Sequence, residues 1–220
     1  MSVAVTGADA APQPGLHGKV PSKGDFLTRR LPRGFVEPWD QWLQSAINCS
    51  KEQLEGDWLP TYLTSPLWRF VLSPGLCGPD AVAGVLMPSV DRGGRYFPFT
   101  VAGALPGCTN PAAVPVNGEA WFKRAEAMAL TALEDDFDLE RFDSDLAASA
   151  GPAYPRHSDG GGLPALHGLR VGLDDRASAA HGFTGLVDRH LQSFYPQYSL
   201  WWSAGSDSVE PSLIACNGLP

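Results

Sequence analysis

The chain has 220 residues, 44% of them hydrophobic, and a formal charge of −8 at pH 7. That length and apolar content can bury a full core, so one domain is the expectation. The acidic balance argues against a nucleic-acid surface, which needs a basic stripe, and no apolar run approaches the roughly 20 residues that span a bilayer.

Met1–Pro14 is small and Ala-rich. It lacks the basic start and apolar centre of a signal peptide and reads as a disordered leader ahead of a single domain over residues 15–220. Cys49, Cys77, Cys108 and Cys216 are far apart and form no C-x-x-C pair. Zinc ribbons and redox dithiols are therefore not expected, and reduced, mostly buried thiols in the cytoplasm are.

Gly15–Val20 reads as a first short strand, followed by a loop rich in Pro, Gly and charge. A helix is predicted over Phe35–Ile47, where Phe35, Trp39, Trp42, Leu43 and Ile47 share a face and Pro38 falls in the first turn. Leu67–Leu72, Ala81–Met87 and Tyr96–Leu105 read as three strands, the middle one apolar enough to be central. Pro98 places one end of the third at a sheet edge or bulge. Asn117 is the predicted N-cap of a helix through Leu133, with Trp121, Ala125, Met128, Ala129, Ala132 and Leu133 inward. Asp138 can cap a second helix that turns Leu139, Phe142 and Leu146 inward. Ala150–Leu166, with its run Gly160–Gly162, reads as a surface loop. Phe183, Leu186, Val187, His190 and Leu191 mark a third amphipathic helix, with His190 on its inner face. Two closing strands are predicted at Tyr198–Ser203 and Ser208–Ala215. Hairpins, then helices, then another hairpin give an α+β sandwich, mostly antiparallel sheet flanked by helices.

Charge is uneven. Lys19, Lys23, Arg29, Arg30 and Arg33 make the early loop basic, whereas Glu134, Asp135, Asp136, Asp138, Glu140, Asp143 and Asp145 make a later segment acidic. Either the two face each other across the fold or they steer a partner.

Catalytic patterns are thin. The chain has no G-x-S-x-G elbow, and Gly15-Leu16-His17-Gly18-Lys19 has its glycines too close for a phosphate loop. The triple glycine follows no apolar strand, and His17, His157, His167, His181 and His190 lack metal-ligand spacing. Neither a metal nor a cofactor is expected. Cys77 is a conceivable nucleophile with His17, although nothing nearby in the sequence would activate it. Of the adjacent pair Trp201–Trp202, strand alternation sends one ring inward and the other out, and an outward Trp would be a contact candidate.

The most specific stretch is Met87–Phe99, M-P-S-V-D-R-G-G-R-Y-F-P-F, a Gly-containing hairpin with Asp91, Arg92 and Arg95 at its tip. Asp91 either caps its own turn and pairs with Arg95, or the tip is a binding element. Four further blocks accompany it: Gly18–Pro32 with Phe35–Gln44, Pro66–Gly78, Ser199–Gly205 and Gly218–Pro220. In this order and spacing the blocks resemble the TagF family, also called ImpM, accessory proteins of bacterial type VI secretion systems. The likeness runs from about Gly15 onward. It departs at Gly93, where an apolar residue is common, and at Pro220, where relatives often continue. A phosphatase domain, which some relatives carry, has no room here.

The resemblance implies a cytoplasmic, non-enzymatic repressor that acts after translation by binding the forkhead-associated scaffold protein of the same system. Other subunits of the machine are further candidate partners. The contact candidates are Lys23, Asp25, Arg29, Asp91, Arg92, Arg95 and Trp201, with the basic loop and the hairpin converging either as a binding surface or as a structural ion-pair network. Two alternatives stay open: an anion or phosphopeptide sensor using the hairpin arginines, and a hydrolase using Cys77 or the Asp91 cluster.

Overall fold

A computed structural model of the chain describes residues 12–155, 164–165, 168–169 and 179–220. The expected leader and the Gly160–Gly162 run fall mostly or wholly outside these residues. In chain order the elements are β1 (Gly15–Gly18), β2 (Leu27–Arg29), α1 (Arg33–Leu54), α2 (Trp58–Leu63), β3 (Trp68–Leu72), β4 (Ala81–Met87), β5 (Phe99–Leu105), α3 (Val114–Asn117), α4 (Glu119–Thr131), α5 (Leu139–Ala148), a minor pair β6 (Pro164–Ala165) and β7 (Gly168–Leu169), α6 (Ala179–Phe194), β8 (Tyr198–Ser203) and β9 (Ser212–Asn217).

Seven strands form one antiparallel sheet in the order β2-β1-β5-β4-β3-β8-β9. β4 is its middle strand, as its unbroken apolar run predicts. Alternation divides the core in two. Phe70, Leu72, Val82, Ala102 and Trp201 meet Phe35, Trp39 and Leu43 of α1 on one face. Val71, Ala83, Val85, Met87, Phe99 and Val101 meet Trp121, Phe122, Ala125 and Ala129 of α4 and Leu139, Phe142 and Leu146 of α5 on the other. The result is the expected α+β sandwich.

Asp138 caps α5 as its sequence position predicts, its carboxylate accepting from the Glu140 and Arg141 amides. Other expectations need correcting. α1 starts at Arg33 and runs to Leu54, so Pro38 lies beyond the first turn. Asn117 ends α3, and Gly118 precedes α4. Leu133 is exposed. β5 begins only at Phe99 and is an interior strand, not an edge. On α6 the expected inner residues Phe183, Val187 and His190 face solvent. The helix is seated instead through Asp188, whose carboxylate accepts from the buried Tyr198 hydroxyl and from Gln192. Trp201 and Trp202 do take opposite faces, but each face is covered: Trp201 lies parallel to Trp39 at 6.0 Å, and Trp202 meets Phe122 edge-on.

Candidate functional site

The β4–β5 hairpin continues beyond the sheet. Met87 pairs with Phe99 and Val90 bridges Tyr96, which is the same register. Continuing that register, Pro88 and Pro98 stand opposite each other. Bonded and non-bonded pairs alternate, and this pair is non-bonded, so their missing N–H groups cost this hairpin nothing; the pairing resumes beyond them, with the Phe97 amide donating to the Ser89 carbonyl at 3.1 Å. The Gly94 amide donates to the Asp91 carbonyl at 2.9 Å and the Asp91 amide to the Arg95 carbonyl at 3.1 Å. This is a three-residue turn whose last position is left-handed, and Gly94 fills it with φ of 78°.

Asp91 organises the tip. Its side chain is fully buried and accepts from Lys19 Nζ at 2.9 Å, Arg95 Nε at 2.7 Å, and the Gly93 and Arg95 amides, each at 2.9 Å. The Lys19 hydrogen bond, then the Arg95 amide and side chain, hold its carboxyl well below the usual carboxylate range. Lys19 is itself buried, with Nζ 4.8 Å from the centre of the Phe26 ring. The Arg92 amide donates to the Lys23 carbonyl, and Arg95 donates to the Gly24 carbonyl. The early loop and the hairpin therefore converge. On its other flank the tip is braced by α2, where Tyr62 donates to the Ser89 carbonyl at 2.9 Å and accepts from its amide at 3.0 Å. Burial pushes the Tyr62 hydroxyl up to about 12.

The candidate residues thus separate. Asp91 and Arg95 belong to the frame. Arg92 is exposed and Lys23 half-buried, and neither side chain has a partner among the described residues. Asp25 is exposed beside them. Arg29 points elsewhere, 3.8 Å from Glu140 of α5. Its neighbour Arg30 binds Asp143 at 2.8 Å and the Pro14 carbonyl, so the basic loop and the acidic segment do face each other in part. Trp201 is buried under α1 and leaves the contact set. Two residues were missed as parts of this site. Lys19 was counted only among the basic residues, although it sits between Gly18 and Val20 at the end of a buried strand. Phe26 is 48% exposed and packs edge-on against Phe97 at 4.8 Å, offering an aromatic surface next to the free cations.

His17 was paired with the wrong residue in the catalytic alternative. Its Nδ1 meets Thr28 Oγ1 at 2.9 Å and its Nε2 meets Asp40 Oδ1 at 3.3 Å, tying β1 to β2 and α1. Burial lowers its pKa against the pull of Asp40. Cys77 is buried without a hydrogen bond among the described residues, and burial alone pushes its thiol up to about 11. Nothing there generates a thiolate. Among the described residues no group of three or more His, Cys, Asp or Glu could hold a metal ion.

A model of the TagF N-terminal domain family, described as type VI secretion system-associated, matches residues 15–149. The chain belongs to the TagF family. A crystal structure of PA0076 from Pseudomonas aeruginosa PAO1 at 2.05 Å is similar over 94% of this chain and 89% of that one, with 38% sequence identity and a TM-score of 0.80. A comparison with curated proteins returned no match. The TagF N-terminal match ends before α6 and the β8–β9 hairpin, yet that hairpin completes the same sheet through β3. Among the described residues no helix is long and apolar enough to cross a membrane.

Proposed function

We propose that this TagF-family chain is a cytoplasmic, non-enzymatic repressor of a type VI secretion system that captures the forkhead-associated scaffold protein of the same machine. The observation that carries this reading is the division within the hairpin tip. Asp91 binds both Lys19 and Arg95 in one frame, which keeps a net charge of one positive unit, and that frame presents Phe26 beside Arg92 and Lys23, whose side chains form no ion pair among the described residues.

An unpaired guanidinium on a braced turn meets a carboxylate or phosphate at little entropic cost, in bidentate geometry. Phe26 adds apolar contact area beside it. The net charge of −8 repels an anionic partner from the molecule as a whole, and the cationic tip offsets that repulsion locally. Repression is steric: an occupied scaffold cannot recruit its other subunits.

Calorimetric titration of the chain against the scaffold, in phosphorylated and unphosphorylated forms, tests the reading. Saturable binding that weakens with added salt is the expected result. Absence of binding to either form would refute scaffold capture and leave an anion sensor as the better reading of Arg92.

A further inference from the structure

His17 joins a hydroxyl on the edge of the sheet to a carboxylate on α1. It stands in β1 opposite Thr28 of β2. Bonded and non-bonded pairs alternate in an antiparallel ladder. The Phe97 amide bonds to Ser89, so Phe99 and Val101 bond to β4, and Thr100 turns its backbone groups to His17. His17 and Thr28 are therefore a non-bonded pair, the kind whose side chains lie closest, and Thr28 Oγ1 is 2.9 Å from His17 Nδ1. The same register turns the Thr28 amide outward, where no strand pairs with β2.

The second ring nitrogen, Nε2, is 3.3 Å from Asp40 Oδ1. An ionised carboxylate only accepts, so Nε2 carries the ring proton, Nδ1 keeps its lone pair, and the Thr28 hydroxyl donates to it. Asp40 is steadied in turn by Gln44, one turn along α1, which donates to its other oxygen. Burial lowers the pKa of His17, so the imidazole is neutral at neutral pH. A hydroxyl, a base and a carboxylate that orients the base are the parts of an activated nucleophile. Thr28 lies 11 positions and Asp40 23 positions from His17 in the chain, so only the fold assembles the three.

We propose that Thr28 is an acyl-acceptor site that takes the acyl group of an activated ester. Its Oγ1 attacks the ester carbonyl as the hydroxyl proton passes to His17 Nδ1, and Asp40 stabilises the imidazolium. The tetrahedral intermediate collapses by breaking the bond to the leaving oxygen, to which His17 returns the proton; the products are a Thr28 ester and an alcohol. The outward Thr28 amide is a donor for the oxyanion. Phe26, 48% exposed and stacked on His17 at 6.0 Å, gives the acyl group an apolar wall. A phosphoryl donor fits less well, because its several charges need cations, whereas Lys19 and Arg29 are held by Asp91 and Glu140. The ester persists. His17 is buried, with Phe97 edge-on at 6.2 Å, and Thr28 is its exposed neighbour, so an acyl group there shuts water from the base. The chain is thus modified rather than turned over, and the site does not depend on scaffold capture.

The test offers p-nitrophenyl acetate to the full chain carrying Cys49→Ser, which removes the exposed thiol. Peptide mass spectrometry should place an acetyl group on Thr28, and p-nitrophenolate release should stop once that residue is filled. Asp40→Asn alters a partly exposed side chain and should melt as its parent does, yet slow the labelling of Thr28 at least about tenfold. Nitrogen NMR should find the His17 proton on Nε2 in the parent, with that preference weakened in Asp40→Asn, a change that packing alone does not produce. Acetyl groups on lysines but none on Thr28, Thr28 labelling unchanged in folded Asp40→Asn, or a parent His17 protonated on Nδ1 would each overturn the assignment.

Discussion

Trp39 to Phe is the substitution through which the packing of α1 on the sheet can be tested most sharply. Trp39 and Thr100 are both fully buried, and the indole Nε1 donates to Thr100 Oγ1 at 3.1 Å. The ring is held by Phe35 at 5.5 Å, Phe70 at 4.6 Å and Trp201 at 6.0 Å. Phe keeps much of this stacking but removes the donor and leaves a gap. An unsatisfied buried hydroxyl costs ~1–3 kcal/mol, and the gap adds about 24 cal/mol per Å³. The sum is about 3 kcal/mol, which for a chain of this size lowers the Tm by roughly 6–12 °C. Thr100→Val alone strands the indole donor and should cost ~1–3 kcal/mol. The double substitution removes both polar groups together, so its cost should fall short of the sum by at least about 1 kcal/mol. Urea unfolding of the four proteins measures this cycle. Additivity within about 0.5 kcal/mol would show that the hydrogen bond contributes nothing and would refute the reasoning.

Three further outcomes follow. Asp91 has a depressed pKa in the fold, so its contribution is present above the unfolded value of about 3.9 and is lost as pH falls towards the folded one; the stability gap between the native chain and Asp91→Asn should therefore close below about pH 4, and a gap that stays constant through acid pH would contradict the Lys19 pairing. Gly18→Ala should destabilise strongly, because φ there is 130° and a Cβ would stand 2.1 Å from the Pro98 carbonyl oxygen; a melting temperature within a degree or so of the native one would mean that this close approach is not maintained. Towards a thiol reagent at neutral pH, exposed Cys49 should react first and Cys77 only on unfolding, given its burial and its thiol raised to about 11; rapid native-state labelling of Cys77 would contradict its burial in the cluster that holds Phe35.

Where local pattern and tertiary demand coincide, the fold was legible. β4 advertises its central place by an unbroken apolar run, and α5 advertises its start by Asp138 and its inner face by Leu139, Phe142 and Leu146. The C-terminal third of α1 carried no signal, because its apolar stripe ends at Ile47 and the remaining turns are solvated. α6 misled for the opposite reason: its apolar stripe is real, but the seat is made by a buried Asp188 satisfied by Tyr198, a contact that periodicity cannot show. The site divided similarly. Its charged residues stood out in the turn chemistry, and the hairpin reading of Asp91 capping its own turn and binding Arg95 matches the structure. The fourth bond, from Lys19, spans 72 positions and arises only when β1 docks on β5.

The most direct test of scaffold capture is the affinity of Arg92→Glu for the forkhead-associated scaffold, measured beside Arg95→Ala. Among the described residues the Arg92 side chain bonds to nothing, so Arg92→Glu should melt within about 0.5 kcal/mol of the native chain and bind at least about tenfold more weakly, the loss of one charge-assisted contact. Arg95→Ala should instead lose stability, since its guanidinium holds Asp91 and Gly24 together. Unchanged affinity in a folded Arg92→Glu protein would contradict the proposal that the hairpin tip is the surface that binds.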